Sequence, residues 1–296
     1  MYAAAAAALL IWAGTPVANK LAVVTIDSAT TGMMRSVLAG PIALIVALAL
    51  RLPFPNQRAH LILLLVSGIT SFAIWPTLLS IGIQLTSANH AALIIAIIPV
   101  FTGLFAAAYD RKWPHIAWWA GITIAGLGTA FLVFHRTGYL PGTVAATGTG
   151  ADGASVTGDL IIVAGTIVCA VGYVTGAKLS PLIGNRATTF WGLTVAAIAM
   201  APVVLIHADR TNWGAVTTTS WMSLAYLAFM GSFMGYLLWF LALGRGGITR
   251  MSAWQLGQPA VTFVLAAAIL GEAVTLPLII SGLVILGGTA LAQRPA

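Results

Sequence analysis

Ser232, Tyr236 and Trp239 stand four and three residues apart in an otherwise apolar stretch, beside a second stripe of Gly231 and Gly235. Residues at that spacing share one helix face. The first stripe predicts a cavity wall and the second a close helix contact. Ser67, Ser71 and Trp75, four apart and followed by Pro76, repeat the idea. A Trp or Tyr away from a membrane interface can offer its ring to a ligand while its N–H or O–H takes a polar partner. Trp254, Gln255 and Gln258 precede Pro259, which removes the N–H that would serve the Gln255 carbonyl. An unpaired amide in an apolar medium costs roughly several kcal/mol, so these groups must bond neighbouring helices, water or a solute. Asn89 and His90 hold the corresponding place ahead of Pro99. Histidine ordinarily titrates near neutral pH, so His90 is either a proton switch or a hydrogen-bonded structural residue. Trp12, Pro16 and Asn19 are spaced four and three apart, and Tyr173 stands at the related place later in the chain. The candidate substrate-binding set is therefore Trp12, Asn19, Ser71, Trp75, Asn89, His90, Tyr173, Ser232, Tyr236, Trp239, Trp254, Gln255 and Gln258. Its chemistry is stacking and hydrogen bonding, not bond making.

Enzyme signatures are absent from the sequence. There is no His-Glu-x-x-His metal pair, no Gly-x-Ser-x-Gly elbow, no paired intramembrane aspartate and no Walker lysine loop. No catalytic residue, cofactor or metal site is expected. The single Cys169 cannot form an internal disulfide and reads as a small packing residue.

The elements that must carry the candidate residues are set by composition. Of 296 residues, 13 are Lys or Arg and 6 are Asp or Glu, while 60% are hydrophobic. So little charge cannot cover a soluble protein of this size, and the lipid bilayer is the expected solvent. A helix crossing it needs about 20 mostly apolar residues. Ten such stretches are legible: Met1–Val24, Thr31–Leu50, Leu61–Ile83, Ser87–Ala108, Ile116–Phe134, Asp159–Leu179, Thr188–Ile206, Met222–Leu243, Met251–Leu270 and Leu276–Ala292. They are uniform blocks, not the alternating strands of an outer-membrane barrel. No basic region precedes the first, so a cleaved signal peptide is not expected.

The net charge of +7 is topology information, not a sign of nucleic-acid binding. With the N-terminus placed in the cytoplasm, Arg51, Arg58, Arg111, Lys112, Lys178, Arg186, Arg245, Arg250 and Arg294 fall inside with Asp110. Lys20, Arg35, Arg136 and Arg210 fall outside, with Asp27, Asp152, Asp159, Asp209 and Glu272. That bias obeys the positive-inside rule and puts both termini in the cytoplasm.

The chain also resembles itself after about 160 residues. Thr30-Thr31 recurs as Thr188-Thr189, Lys20-Leu21 as Lys178-Leu179, Pro99 as Pro259, and Gly128-Thr129-Ala130 as Gly288-Thr289-Ala290. The expected fold is all-α integral membrane, with ten transmembrane helices as two inverted five-helix repeats, residues 1–135 and 158–296. A Gly/Thr-rich outer loop, residues 136–157, joins them. Five spans per half force the second copy to enter the membrane from the opposite side. Such inverted pairs are characteristic of secondary transporters, with the solute site near mid-membrane. A duplication within a channel or a membrane enzyme is the competing reading. A channel would show flux that neither saturates nor exhibits counterflow.

Leu10-Ile11-Trp12-Ala13-Gly14, the run Thr86–Ala92 leading to Pro99, and Pro259 followed by Leu270-Gly271-Glu272 resemble the EamA branch of the drug/metabolite transporter superfamily. The resemblance covers essentially the whole chain, and amino-acid exporters of the YddG type look nearest in architecture. It implies export of small metabolites, amino acids among them, across the cell inner membrane by alternating access. The first half departs from the family pattern with Tyr109-Asp110-Arg111, read as a cap or interface feature.

No acidic residue lies deep in any predicted span, which disfavours exchange of cationic drugs for protons. An aromatic and amide lining suits a neutral or zwitterionic solute with an apolar part, moving by facilitated diffusion unless His90 couples protons. Nucleosides, sugars and drugs are the alternative solute classes. Lys20 and Lys178 read as snorkelling anchors or as carboxylate attractors at the two mouths, and Arg35 as an outer-interface anchor. Gly121, Gly126, Gly128, Gly282, Gly287 and Gly288 predict close helix packing or a dimer contact. The chain is a homodimer if these faces meet another copy and a monomer otherwise.

Overall fold

In a computed structural model the described residues are 2–111, 116–134, 155–246 and 257–292. They contain no strand, and eight of their helices are long and apolar enough to cross a membrane: Tyr2–Ala22, Ser28–Ala49, Arg58–Leu85, Ala88–Asp110, Ile116–Phe134, Val156–Ile183, Asn185–His207 and Thr218–Trp239. Two shorter apolar helices, Gln258–Leu270 and Leu276–Ala292, complete the set. We number these segments first to tenth in chain order.

Hydroxyl and carboxylate caps begin the second, fourth, sixth and eighth segments. Asp27 accepts from the Thr30 N–H at 2.8 Å, Ser87 from His90 at 3.1 Å, Ser155 from Gly158 at 3.1 Å and Thr217 from Ser220 at 3.2 Å. Each cap satisfies a backbone donor that the helix leaves unpaired. Proline breaks the segments from within. The first divides at Gly14, just before Pro16, and the fourth at Ala96–Ile97, just before Pro99. The third and eighth widen into π-helical turns over Gly68–Ile74 and Tyr226–Met234. These lie at matching places in the two halves of the sequence.

Packing follows small residues. The second segment lies on the seventh, the fifth on the tenth, the third on the sixth, and the first on the eighth; the fourth touches both sixth and ninth, and the ninth also touches the first. Large apolar side chains such as Ile45, Leu127, Ile198 and Leu283 face outward, each at least 65% exposed, as a lipid-facing surface requires. Between the fifth and tenth segments, a Cβ on Gly288 would stand 2.5 Å from the Ala125 nitrogen, and one on Gly121 would stand 2.6 Å from the Gly288 carbonyl. A Cβ on Gly126 or Gly287 would meet nothing within 4 Å. The glycines expected to act together thus divide into a packing set and an outward set. Gly288→Ala should therefore lower stability by about 1–3 kcal/mol through overpacking. Gly287→Ala should be neutral or slightly stabilising, because the helix gains a better former. Paired unfolding midpoints in mild detergent check this.

The fourth and ninth segments end alike. Arg111 and Gly271 both adopt the left-handed conformation, at φ 53° and 68°. The second half uses the residue that favours this cap, whereas the first half forces an arginine into it. The Tyr109-Asp110-Arg111 departure is thus a helix cap.

Candidate functional site

The breaks of the first and fourth segments border one cavity of about 720 Å³ of empty space, mouth included, and Trp75 and Tyr236, just past the two π turns, line it as well. Trp12, Thr15, Arg35, Trp75, Tyr173, Tyr236 and Gln258 line it, with Leu79 and the Ile95–Pro99 break completing the wall.

The Gly14 break positions the aromatic side. Pro16 has no N–H to give the Trp12 carbonyl, and Gln258 Nε2 donates to that oxygen at 3.3 Å. On either side, Tyr226 Oη donates to the Ile11 carbonyl at 2.6 Å and Thr262 Oγ1 to that of Ala13 at 2.8 Å. Side chains of the eighth and ninth segments thus receive three consecutive carbonyls of the first. Trp12 Nε1 in turn donates to the Gly231 carbonyl at 3.0 Å in the eighth segment's π turn. Its ring meets Tyr236 edge-on at 5.2 Å between centroids and Trp239 at 5.5 Å. Tyr236 also meets Phe72 edge-on, at 4.9 Å. The ring cluster fixes Trp12 as a rigid wall.

Arg35 is the principal correction. Its place near a segment end predicts an interface anchor, but it is buried, 6% exposed, and lines the cavity. It stands seven residues past Ser28, about 10 Å along the helix at 1.5 Å per residue. Arg35 Nε donates to Ser232 Oγ at 2.7 Å, and Ser232 donates to the Leu227 carbonyl at 3.1 Å across the π turn. Gly231 makes room for the guanidinium, since a Cβ there would stand 3.2 Å from Nη2. Nη1 is buried with no hydrogen-bond partner among the described residues, and no described acidic side chain lines the cavity. A signal for it was present: a charge well inside an apolar helix marks function by default.

The other sequence candidates divide. Trp12, Trp75, Tyr173, Tyr236 and Gln258 converge on the cavity. Ser232 sits beneath Arg35, and Trp239 backs Trp12. Ser71 points instead at the Cys169 carbonyl, 3.5 Å away, and Asn19 is buried between Thr15 and Ser80, donating to the Thr15 carbonyl at 3.0 Å and accepting from Ser80 at 2.6 Å. Trp254 and Gln255 lie outside the described residues.

Asn89 and His90 belong to a second cluster, at the turn between the third and fourth segments. His90 Nδ1 lies 2.7 Å from Asp159 Oδ2, both side chains being buried, and Thr86 Oγ1 donates to Asp159 Oδ1 at 2.5 Å. Glu272 accepts from the Ala88 and Asn89 N–H groups at 2.7 and 3.0 Å. Lys20 Nζ donates to the Thr86 and Ile83 carbonyls at 2.5 and 3.0 Å. The turn is thereby tied to the first, sixth and ninth segments. Lys178 pairs with Asp110 and stands 5.0 Å over the Tyr109 ring. Both lysines are engaged with helix ends, so neither is a free snorkelling anchor or an open carboxylate attractor.

Comparison with known proteins adds a family match. The EamA-like transporter family matches residues 1–134 and 156–293. The uncharacterized transporter YdeK of Bacillus subtilis (strain 168) is 29% identical, over 97% of this chain and 94% of its own. A probable terminal-alkyne amino-acid exporter of Streptantibioticus cattleyicolor is 25% identical over 77% of this chain and 71% of its own. A probable amino-acid metabolite efflux pump of Salmonella typhimurium is 27% identical over 41% and 43%. One solved crystal structure shares the fold, with a TM-score of 0.62 at 19% identity over 98% of this chain and 94% of its own.

Proposed function

Since the chain belongs to the EamA-like transporter family, as a multi-pass membrane transporter and not an enzyme, we propose that it exports small metabolites, chiefly neutral or aromatic amino acids. It works by alternating access through the central cavity, in the cell inner membrane with both termini cytoplasmic. The observation that carries this reading is the cavity. It gathers Trp12, Arg35 and Trp75 from the first half of the chain and Tyr173, Tyr236 and Gln258 from the second. Stacking rings beside hydrogen-bonding groups suit a solute with an apolar part and polar ends.

The inverted-repeat arrangement has its own support. Exchanging each segment for the one five places away maps the main packing contacts onto one another or onto themselves. The third-on-sixth contact becomes the eighth-on-first, and the second-on-seventh becomes itself. The same exchange relates the two π turns and the two left-handed caps. Two halves of one design give two conformations of similar energy, the requirement of alternating access. Two relatives bear names of amino-acid exporters, which favours that solute class over nucleosides, sugars and drugs.

Proteoliposomes loaded with unlabelled amino acid should show saturable exchange of labelled amino acid, unaffected by a pH gradient. The gradient should have no effect because His90 and Asp159 face each other away from the cavity lining. Flux that never saturates would overturn the carrier reading in favour of a channel. Exchange confined to nucleosides or sugars would overturn the amino-acid assignment alone.

A further inference from the structure

Among the described residues the cavity holds one cation and no anion, and this asymmetry specifies a ligand. Arg35 Nη1 is buried without a partner among the described residues, while Nε is held by Ser232. Uncompensated charge inside a membrane protein is costly, and nearby groups normally pair it. Here Trp12, Trp75, Leu79, Tyr173 and Tyr236 surround it with rings and apolar surface. Resting on the carrier reading, we infer that the cavity recognises its solute by a carboxylate, held on the terminal nitrogens of Arg35. The aromatic walls take the apolar remainder of the same molecule.

The chemistry favours a carboxylate over larger anions. A planar guanidinium fork matches a planar carboxylate. One described cation in the lining balances one negative charge, whereas a phosphate dianion would leave charge uncompensated in an apolar site. A solute carrying only an ammonium would meet like charge and no described carboxylate.

The scaffold singles out this position. Counting on from the recurring Thr30-Thr31 and Thr188-Thr189, the counterpart of Arg35 is Leu193, buried in the apolar core. The serine related to Ser232 is Ser71, which points at a backbone carbonyl instead of supporting a cation. The charge and its support are built into one half only. A purely structural arginine would be expected to have its donors satisfied, and Gly231 clears the space in which this one stands.

Trp12 and Trp75 line the cavity, so tryptophan fluorescence of the purified protein in detergent reads occupancy. L-phenylalanine and 3-phenylpropionate should each give a saturable change. Phenylalaninamide and 2-phenylethylamine, which lack the carboxylate, should bind at least about tenfold more weakly, the loss expected for hydrogen bonds to a charged group. Arg35→Gln should abolish that discrimination and Arg35→Lys should restore part of it. Equal binding of acid, amide and amine by the unaltered protein overturns the inference, and this arm stands even where a variant fails to fold. Unchanged acid binding by Arg35→Gln also overturns it, by making Arg35 structural. Nucleosides or sugars that bind and exchange while the acids do neither would sink the carboxylate assignment and leave the carrier reading intact. Silence from every solute, in binding and in liposome exchange, would overturn the carrier reading and the inference together.

Discussion

His90→Leu lowers the stability of the detergent-solubilised protein by about 3 kcal/mol, the low end for leaving a buried charged acceptor short of one hydrogen-bond partner. The physical cause is the group left behind. Asp159 lies in the first turn of the sixth segment with its side chain 2% exposed, and His90 is its partner at 2.7 Å. After the substitution only Thr86 Oγ1 among these contacts still serves the carboxylate, from 2.5 Å. The position near a helix N-terminus favours the negative charge, which is why the low end is expected. Asp159→Asn should cost less, about 1 kcal/mol, because an amide keeps the shape and can still bond both neighbours. A double-mutant cycle isolates the coupling. Midpoints at one fixed scan rate are the readout, since membrane proteins often unfold irreversibly. Equal, small losses for both single variants would show that the pair is tolerated and does not hold the turn.

That pair also shows where sequence reading stops. The membrane segments were legible because a bilayer demands length and apolarity, properties of contiguous sequence. The breaks at Gly14 and at Ala96–Ile97 carry a signal in Pro16 and Pro99, yet apolarity alone predicts a continuous segment in both places. A proline is tolerated inside a membrane helix when other segments serve the freed carbonyl. That service comes from Tyr226, Gln258 and Thr262, more than 200 residues away along the chain from the first break. Gln258 was legible as an amide needing a partner, but its partner was not.

Asp159 was correctly placed at a helix end, whereas its burial depends on the turn holding Thr86 and His90. Gly121 and Gly126 look alike in sequence, and only the position of the tenth helix separates a packing glycine from an outward one. Arg35 breaks a general pattern. Basic residues near segment ends commonly anchor at the interface, and only the three-dimensional fold reveals that Ser232 and the π turn hold this one inward. The trio of Trp12, Tyr236 and Trp75 at one cavity follows from helical spacing within each segment, plus a packing arrangement that spacing alone cannot supply.

Glu272→Gln should raise, by about tenfold, the rate at which a membrane-impermeant maleimide reaches a cysteine placed at Leu79 from the Glu272 side of the membrane. Tenfold corresponds to about 1.5 kcal/mol, the low end for hydrogen bonds to a charged group. Glu272 is part-exposed, so the low end applies. Its carboxylate receives the N–H groups of Ala88 and Asn89 at the start of the fourth segment. A negative charge there also gains from the helix dipole. Glutamine keeps one acceptor, loses the charge and turns a donor toward an N–H group. In the proposed cycle this end must separate for the cavity to open on the Glu272 side, so weakening the tie shifts the population toward that opening. Leu79 lines the cavity and is 1% exposed, so its labelling reports opening and not surface reactivity. Replacing the single native Cys169 removes the background. Asp110→Asn supplies the contrast, because Asp110 pairs with Lys178, which the charge pattern places on the opposite membrane face. It should leave labelling from the Glu272 side unchanged or reduced. An equal rise for both variants would mean general loosening of the helices and would refute the assignment of these contacts as opposed gates.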